Sequence, residues 1–250
     1  FMIKANAVVA GHLTKKQQQT IYRIHEEPDE GSREDFVRMA GLLGYKLPSN
    51  PTAAQIQEVL NNERDTPIGA QLAISYIRSM KLAIYTPDNI GHFGLSLEHY
   101  CHFTSPIRRY PDLIVQRILF GEHDPSANLT QICETCSTRE RISARAEGAV
   151  TQLKKLRYIK HLHKKERSRI FTGLIKEVKP VGIVFSVEEV AMEGFLPIAA
   201  LCPEYLVYNP KAGALESNSF TFALFTPIEV QVEKVDLING KCRWKIAGVK

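Results

Sequence analysis

The sequence predicts an α+β chain: a helix-rich segment over residues 1–168, then an all-β barrel of five short strands over residues 169–250. Three observations carry this. From Leu129 to Lys165 there is no Pro and one Gly, Gly148, and apolar residues recur at helical spacing. At Ile170 the period changes from 3.6 to 2, and FTGLIKEVKPVGIVFSVEE, GFLPIAAL and TPIEVQVEKVDLINGKCRWKIAG read as alternating strands separated by turn residues. Between them in character stands Gly91–Leu113, GHFGLSLEHYCHFTSPIRRYPDL, which crowds His, aromatic rings and two adjacent Arg into one stretch. Apolar cores avoid His and Arg, and solvated loops do not need so many rings.

The elements follow in order. Residues 2–18 read as a helix whose apolar stripe is Met2, Ile3, Ala5, Val8, Val9 and Leu13, with Lys15 and Lys16 at the end that favours cations. TIYRIH (20–25) alternates and reads as a strand. In EEPDEGSREDF, Ser32 is the expected N-cap of a helix over 33–44, with Glu34 and Asp35 in its first turn and Gly44 as its stop. The other acids there flank a Pro turn rather than converging on a metal. Thr52 caps a helix to about Asn62, and Thr66 with Pro67 opens another to about Lys81 through Ile68, Leu72, Ile74 or Ser75, Ile77 and Met80. LAIYT (82–86) is a short strand. In the signature stretch Leu95, Leu97 and Tyr100 fit a strand loosely, while Thr104 or Ser105 caps a helix starting at Pro106. That helix carries Arg108 and Arg109 in its first turn, where free N–H groups favour an anion, and buries Leu113, Ile114, Ile118 and Leu119. GEHDPSANL ends it, and a long helix follows with Gly148 as its candidate break.

Composition narrows the class. A hydrophobic share of 44% and a charged share of 24% are those of a globular protein with a core. No window of about 18 uncharged apolar residues exists, so no membrane span is expected. The opening FMIKANAVVAGHLTKK lacks the basic-then-apolar order of a signal peptide and reads as a chain that begins inside a helix. Five Cys, an odd and scattered set, argue against a disulfide framework and for a reducing compartment such as the cytoplasm. Cys133 and Cys136 form a CxxC with no second pair at zinc spacing, so they read as neighbours on one helix face. Net charge is +5, concentrated between Lys154 and Arg169, where eight Lys or Arg meet one acid, Glu166. Such a run either is a solvated helix face or tracks phosphates.

The stretch GHFGLSLEHYCHFTSPIRRYPDL closely resembles the signature of the RNB family of 3′-to-5′ exoribonucleases, and the likeness extends from FMIKANAVVA to the end of the chain. VKPVGIVFSVEEVAMEGFLPIAAL resembles an OB-fold RNA-binding domain of the ribosomal-protein-S-one type. The resemblance implies the helix-rich C-terminal half of an RNB catalytic domain (1–168) followed by an all-β five-stranded OB barrel (169–250). It implies Mg²⁺-assisted, processive hydrolysis of single-stranded RNA from the 3′ end, releasing nucleoside 5′-monophosphates, by a cytoplasmic monomer. Arg108 matches the family's catalytic Arg beside the scissile phosphate. Arg109 and Tyr110 complete that motif, and His92, Phe93, His102, Thr104 and Ser105 match signature positions that bind RNA. Glu147 matches a later family Glu, against the plain reading of a solvated helix position. Lys154 and Lys155 are the expected phosphate contacts of the basic run, and Phe185 the expected stacking ring of the barrel. Arg23 and His25, in YRIHEEP, either face the nucleic-acid channel or form a cross-strand charge pair. The barrel departs from its type at Val181, Ile183 and Pro197, where the type carries aromatics and a His, so stacking on bases is expected to be weaker there. The family's metal-binding Asp cluster matches nothing in the chain: Asp65, Asp88, Asp112 and Asp124 are isolated. The fragment alone is therefore expected to be inactive. The alternatives are a non-catalytic RNA-binding module and a protein-interaction scaffold.

Overall fold

The structure is a computed structural model that describes residues 1–122, 124, 126–210 and 212–247; the side chains of Pro67, Gln71, Ser75, Arg78 and Ser79 lie outside the description. It divides into two compact units. The first holds Phe1–Gly41, Lys46–Asn62 and Leu72–Arg145, and the second Leu42–Tyr45, Glu63–Gln71 and Ala146–Lys250.

The first unit opens with helix α1 (Met2–Lys15) and strand β1 (Tyr22–Ile24). The buried face of α1 is Asn6, Ala10 and Leu13, at spacing i, i+4, i+7, whereas Met2, Ile3 and Val8 are exposed. The apolar stripe expected from Met2, Ile3 and Val8 is thus corrected, because a buried Asn replaces it. Helix α2 (Glu30–Leu42) begins two residues before the expected cap. Asp29 caps it, its Oδ1 accepting from the Ser32 N–H at 2.8 Å, and this bond holds the Asp29 carboxyl below its usual range. Gly44 adopts φ +89° just beyond the helix, as a stop requires. Helix α3 (Ala53–Asn62) carries a reciprocal cap: the Gln55 N–H donates to Thr52 Oγ1 and Gln55 Oε1 accepts from the Thr52 N–H. Helix α4 (Pro67–Ser79) is capped by Thr66, whose Oγ1 accepts from the Gly69 N–H at 2.9 Å. Leu72 and Tyr76 are its buried positions, while Ile74 and Ile77 are exposed. Strand β2 (Ile84–Thr86) pairs antiparallel with β1, setting Arg23 opposite Tyr85.

Helix α5 (Tyr110–Phe120) starts four residues later than expected, with Arg109 rather than Thr104 or Ser105 at its N-cap position. The Ser105–Arg108 segment is a turn, closed by Arg108 N–H to Ser105 O. Helix α6 (Leu129–Lys165) runs unbroken through Gly148 and contributes to both units. The core of the first unit joins Ala10, Leu13, Ile21, Tyr85, Cys101, Ile114 and Cys133.

The second unit is built on a five-stranded antiparallel sheet: β3 (Ile170–Lys179), β4 (Gly182–Val187), β5 (Met192–Pro197), β9 (Pro227–Asp236) and β10 (Lys241–Ile246). Their order is β10-β9-β3-β4-β5, and the edges β10 and β5 approach each other, so the sheet is nearly closed into a barrel. A three-stranded sheet, β6 (Val207–Asn209), β7 (Ala214–Glu216) and β8 (Thr221–Ala223), is inserted between β5 and β9 and was not expected. Leu156 and Ile159 of α6 are fully buried in the barrel core.

Candidate nucleic-acid interface

The signature stretch is stitched to the first unit by Asn6. Its Nδ2 donates to the Tyr100 hydroxyl, its Oδ1 accepts from the Phe103 N–H, and its backbone oxygen accepts from Cys101 Sγ. Sequence reasoning passed over this residue; a polar side chain at i with Ala10 and Leu13 at i+4 and i+7 was the available signal.

His25 follows β1 and anchors the loop at Gly91–Leu97. It donates its N–H to Gly91 O, accepts from the Phe93 N–H at its oxygen, and accepts from the Gly94 N–H at Nδ1, 3.1 Å away. Gly91 sits at φ +83°, and an added Cβ there would meet Leu97 O at 3.2 Å, so the turn favours glycine. Phe93–Leu95 is a 3₁₀ turn rather than a strand. The His25 ring stacks on His92 with centroids 5.1 Å apart, and Phe93 lies parallel at 6.2 Å. Tyr100 makes T-shaped contacts with both His92 and His102. The Tyr85 hydroxyl bonds to His102 Nδ1 at 2.9 Å. Burial, with His25 nearby, lowers His92 to about 4; burial, with Arg109 nearby, lowers His102 to about 4. Burial raises Tyr85 to about 12. His92 and His102 are therefore neutral near pH 7 and add no positive charge to this wall of rings. His92 and Phe93 face an open cleft also lined by Glu26, Asp29, Arg33 and Lys81. The acids here are engaged locally: Glu26 by Lys81 and Glu27 by Arg33.

Arg23 makes a two-pronged pair with Glu140 of α6 at 2.7 and 3.1 Å, and its guanidinium lies over the Tyr85 ring. Its partner is on a helix, so the pair is not cross-strand. Thr104 and Ser105 are half-buried in the loop before the turn. The two adjacent arginines then diverge. Arg109 donates to Asp112 Oδ1 at 2.8 Å, and Asp112 is fully buried. Arg108 is exposed and pairs with no acid among the described residues. Ile107 and Tyr110 beside it are also exposed. The expected anion site within a first helical turn is corrected, since both arginines precede the helix and one is committed to a carboxylate.

The remaining candidates lie in the second unit. Glu147 and Lys154 are exposed on α6. Lys155 donates from Nζ to Ala191 O at 2.6 Å, which ties its charge to the barrel. Phe185 is fully buried against Trp244, with centroids 5.7 Å apart. An expected stacking ring is thus a core ring, and its position is fixed by Gly194, where a Cβ would fall 2.4 Å from Phe185 Cζ. Among the described residues of the five barrel strands, the aromatic that does face outward is Phe195 of β5, 46% exposed and in register with Val184. Sequence reasoning missed it, although it shares strand parity with Glu193 and Pro197. Tyr158, 54% exposed amid the basic run, was missed likewise. Among the described residues no three His, Cys, Asp or Glu side chains converge as a metal site. Cys133 and Cys136 are both free thiols, and burial pushes Cys133 up to about 12.

A helix-rich unit bearing this signature, joined to a nearly closed five-stranded antiparallel barrel, defines a chain of the RNB type with an OB-type domain. Residues 1–121 match the RNB domain, the family whose signature the stretch Gly91–Leu113 resembles. It is 38% identical over 249 residues to ribonuclease R of Chlamydia muridarum, covering 98% of this chain and 36% of that protein. It is similar to the apo form of Mycoplasma genitalium RNase R, with TM-score 0.84 and 23% identity over 98% of this chain and 40% of that one. The same enzyme in complex with ribose methylated single-stranded RNA aligns with TM-score 0.82 and 24% identity at the same coverage. The chain thus spans little more than a third of the length of the curated relative it matches.

Proposed function

We propose that this chain is the RNA-gripping part of a 3′-to-5′ exoribonuclease that acts on single-stranded RNA. The observation that carries the reading is Arg108: an exposed cation without an acidic partner among the described residues, held on a fixed turn inside the RNB signature. In the reaction, water oxygen bonds to the phosphorus of the terminal phosphodiester, the bond to the 3′ oxygen of the preceding nucleotide breaks, and a nucleoside 5′-monophosphate leaves. Arg108 stabilises the negative charge that develops on the phosphoryl oxygens. Ribonuclease R relatives and their RNA-bound structure support RNA as the partner.

The family's Asp cluster has no match in the sequence, so this reading takes Mg²⁺, the proposed cofactor of the whole protein, to be held by other residues of that protein and the chain alone to be inactive. The domain division at 168/169, a monomeric state and a cytoplasmic location belong to the same reading. No helix among the described residues is long and apolar enough to cross a membrane. His92, Phe93, His102, Thr104, Ser105 and Tyr110 are the proposed RNA-facing residues that accompany Arg108 in the first unit, and Glu147 and Lys154 are those proposed for the second.

Two experiments test this. The chain alone, given Mg²⁺ and a labelled single-stranded RNA, should bind without degrading it; degradation would place a metal site here after all. In the whole protein, Arg108→Ala should lower kcat by about 10²–10³-fold, the loss of about 2.7–4 kcal/mol typical of one transition-state donor, with RNA affinity nearly kept. Equal losses in kcat and affinity would reduce Arg108 to a strand-positioning contact, and an unchanged kcat would return the chain to a non-catalytic binding module.

A further inference from the structure

We propose that Asp112 and Arg109 are positioning residues: a buried ion pair that locks the Ser105–Arg108 turn and leaves Arg108, alone of the two arginines, to meet RNA. The inference rests on the reading of Arg108 given above and reassigns Arg109 from gripping phosphate to holding the turn.

The geometry concentrates on one oxygen. Asp112 Oδ1 accepts from the Ser105 backbone N–H at 2.7 Å and from Arg109 Nη2 at 2.8 Å. Ser105 opens the turn and Arg109 lies just after it, so a single carboxylate oxygen ties both ends together. Ser105 O in turn accepts from the N–H groups of Arg108 and Arg109 at 3.3 and 3.1 Å. One helical turn beyond Asp112, Gln116 Nε2 donates to Phe103 O at 2.9 Å and fixes the segment entering the turn. Asp112 is 0% exposed, and its second oxygen has no partner among the described residues. Arg109 is thus the cation that balances its charge among the described residues. A phosphate that drew Arg109 away would leave a buried carboxylate uncompensated, which folded proteins avoid. The Arg109 side chain is only 20% exposed, and its Nε is buried. Charge and burial both commit Arg109 inward, and the turn they fix leaves Arg108 exposed.

The test is a double-mutant cycle in the whole protein, read by single-turnover degradation and by binding of a labelled single-stranded oligo(A). Asp112→Asn should lower kcat by about 10- to 100-fold, the scale of a misplaced catalytic group, with binding nearly unchanged. In an Arg108→Ala background the same change should cost little more, because the lock acts through Arg108. Additive losses would overturn the proposal, since they mean a role independent of Arg108. So would an Arg109→Gln variant whose main effect is on RNA affinity, the mark of a phosphate contact. If Asp112→Asn does not fold, Arg109→Lys keeps a cation beside the carboxylate and carries the same cycle with the same two outcomes. If Arg108→Ala proves silent, the catalytic reading fails and amide exchange judges the lock by itself. Faster exchange at Ser105 in Asp112→Ala upholds the lock, and unchanged exchange overturns it.

Discussion

At the scale of single residues, two phenylalanines ten positions apart show how strand parity divides core from surface. Phe185 shares its side of β4 with Ile183 and Val187, all three fully buried. Phe195 shares its side of β5 with Glu193 and Pro197, all three exposed. Phe185→Ala should therefore cost about 3–5 kcal/mol of barrel stability, as large-to-small core changes do, without directly weakening the grip on RNA. Phe195→Ala should leave the melting temperature nearly unchanged and weaken RNA binding by about 1–3 kcal/mol, the worth of one base–aromatic stack. Thermal melts and binding isotherms on both variants check this, and reversed effects would mean the barrel exposes its other face. The parity was present in the sequence, because alternation marks Phe185 as inward. What the resemblance suggested, an aromatic beside the strand-two Gly, outweighed it. Asn6 and Asp112 were hidden for a different reason. Each is a polar residue buried by hydrogen bonds to chain 97 and 7 residues away respectively, and periodicity weighs polar residues as solvent-facing.

Among the elements, the long helices and the five barrel strands were legible because their periods, 3.6 and 2, persist over enough residues to stand out. The β6–β8 sheet was not, since strands of three residues carry no period, and the late start of α5 was not, since Pro106 serves a turn as well as it serves a first helical position. Helix α6 shows what period alone leaves open. Leu156 and Ile159 are fully buried, which turns Lys154, Arg157, Tyr158, His161, Lys164 and Lys165 outward as one stripe. From Lys154 to Lys165 it spans about 16 Å, enough for roughly three phosphates of an extended strand. Like charges at i, i+3 and i, i+4 cost a helix about 0.2–0.5 kcal/mol per pair, so the stripe is unfavourable to the fold by itself. Replacing Lys154, Arg157 and Lys164 by Gln should hold or raise the melting temperature while weakening RNA binding. The slope of log K against log salt should flatten by about 0.7 for each phosphate that is no longer neutralised. Opposite signs of the two effects separate a weaker grip on RNA from a damaged fold, and an unchanged slope would make the stripe a solvated face.

For the whole molecule, acid should act on the two units unequally, because the two half-buried histidines with lowered pKa values belong to one of them. His92 and His102, both held near 4 by burial, lie in the first unit, and among the described residues the barrel core contains no His. A folded-state value below the unfolded one, about 6.5, means the unfolded chain binds protons more readily. The stability these two residues contribute is therefore complete above about pH 6.5, falls as pH drops towards about 4, and changes no further below that. With their partial exposure taken into account, each is worth about 1 kcal/mol, which in a unit of this size is a few degrees of melting temperature. The readouts are separable. Trp244 is the single Trp of the chain and sits 4% exposed in the barrel core, so its emission follows the second unit. The expected result between about pH 6.5 and about pH 4.5 is a loss of thermal stability in the helical signal that precedes any shift in Trp emission. Replacing His92 and His102 together with Gln should remove that pH dependence, because Gln keeps polarity without a titrating proton. A helical signal that stayed equally acid-sensitive in the double variant would assign the transition to carboxylates.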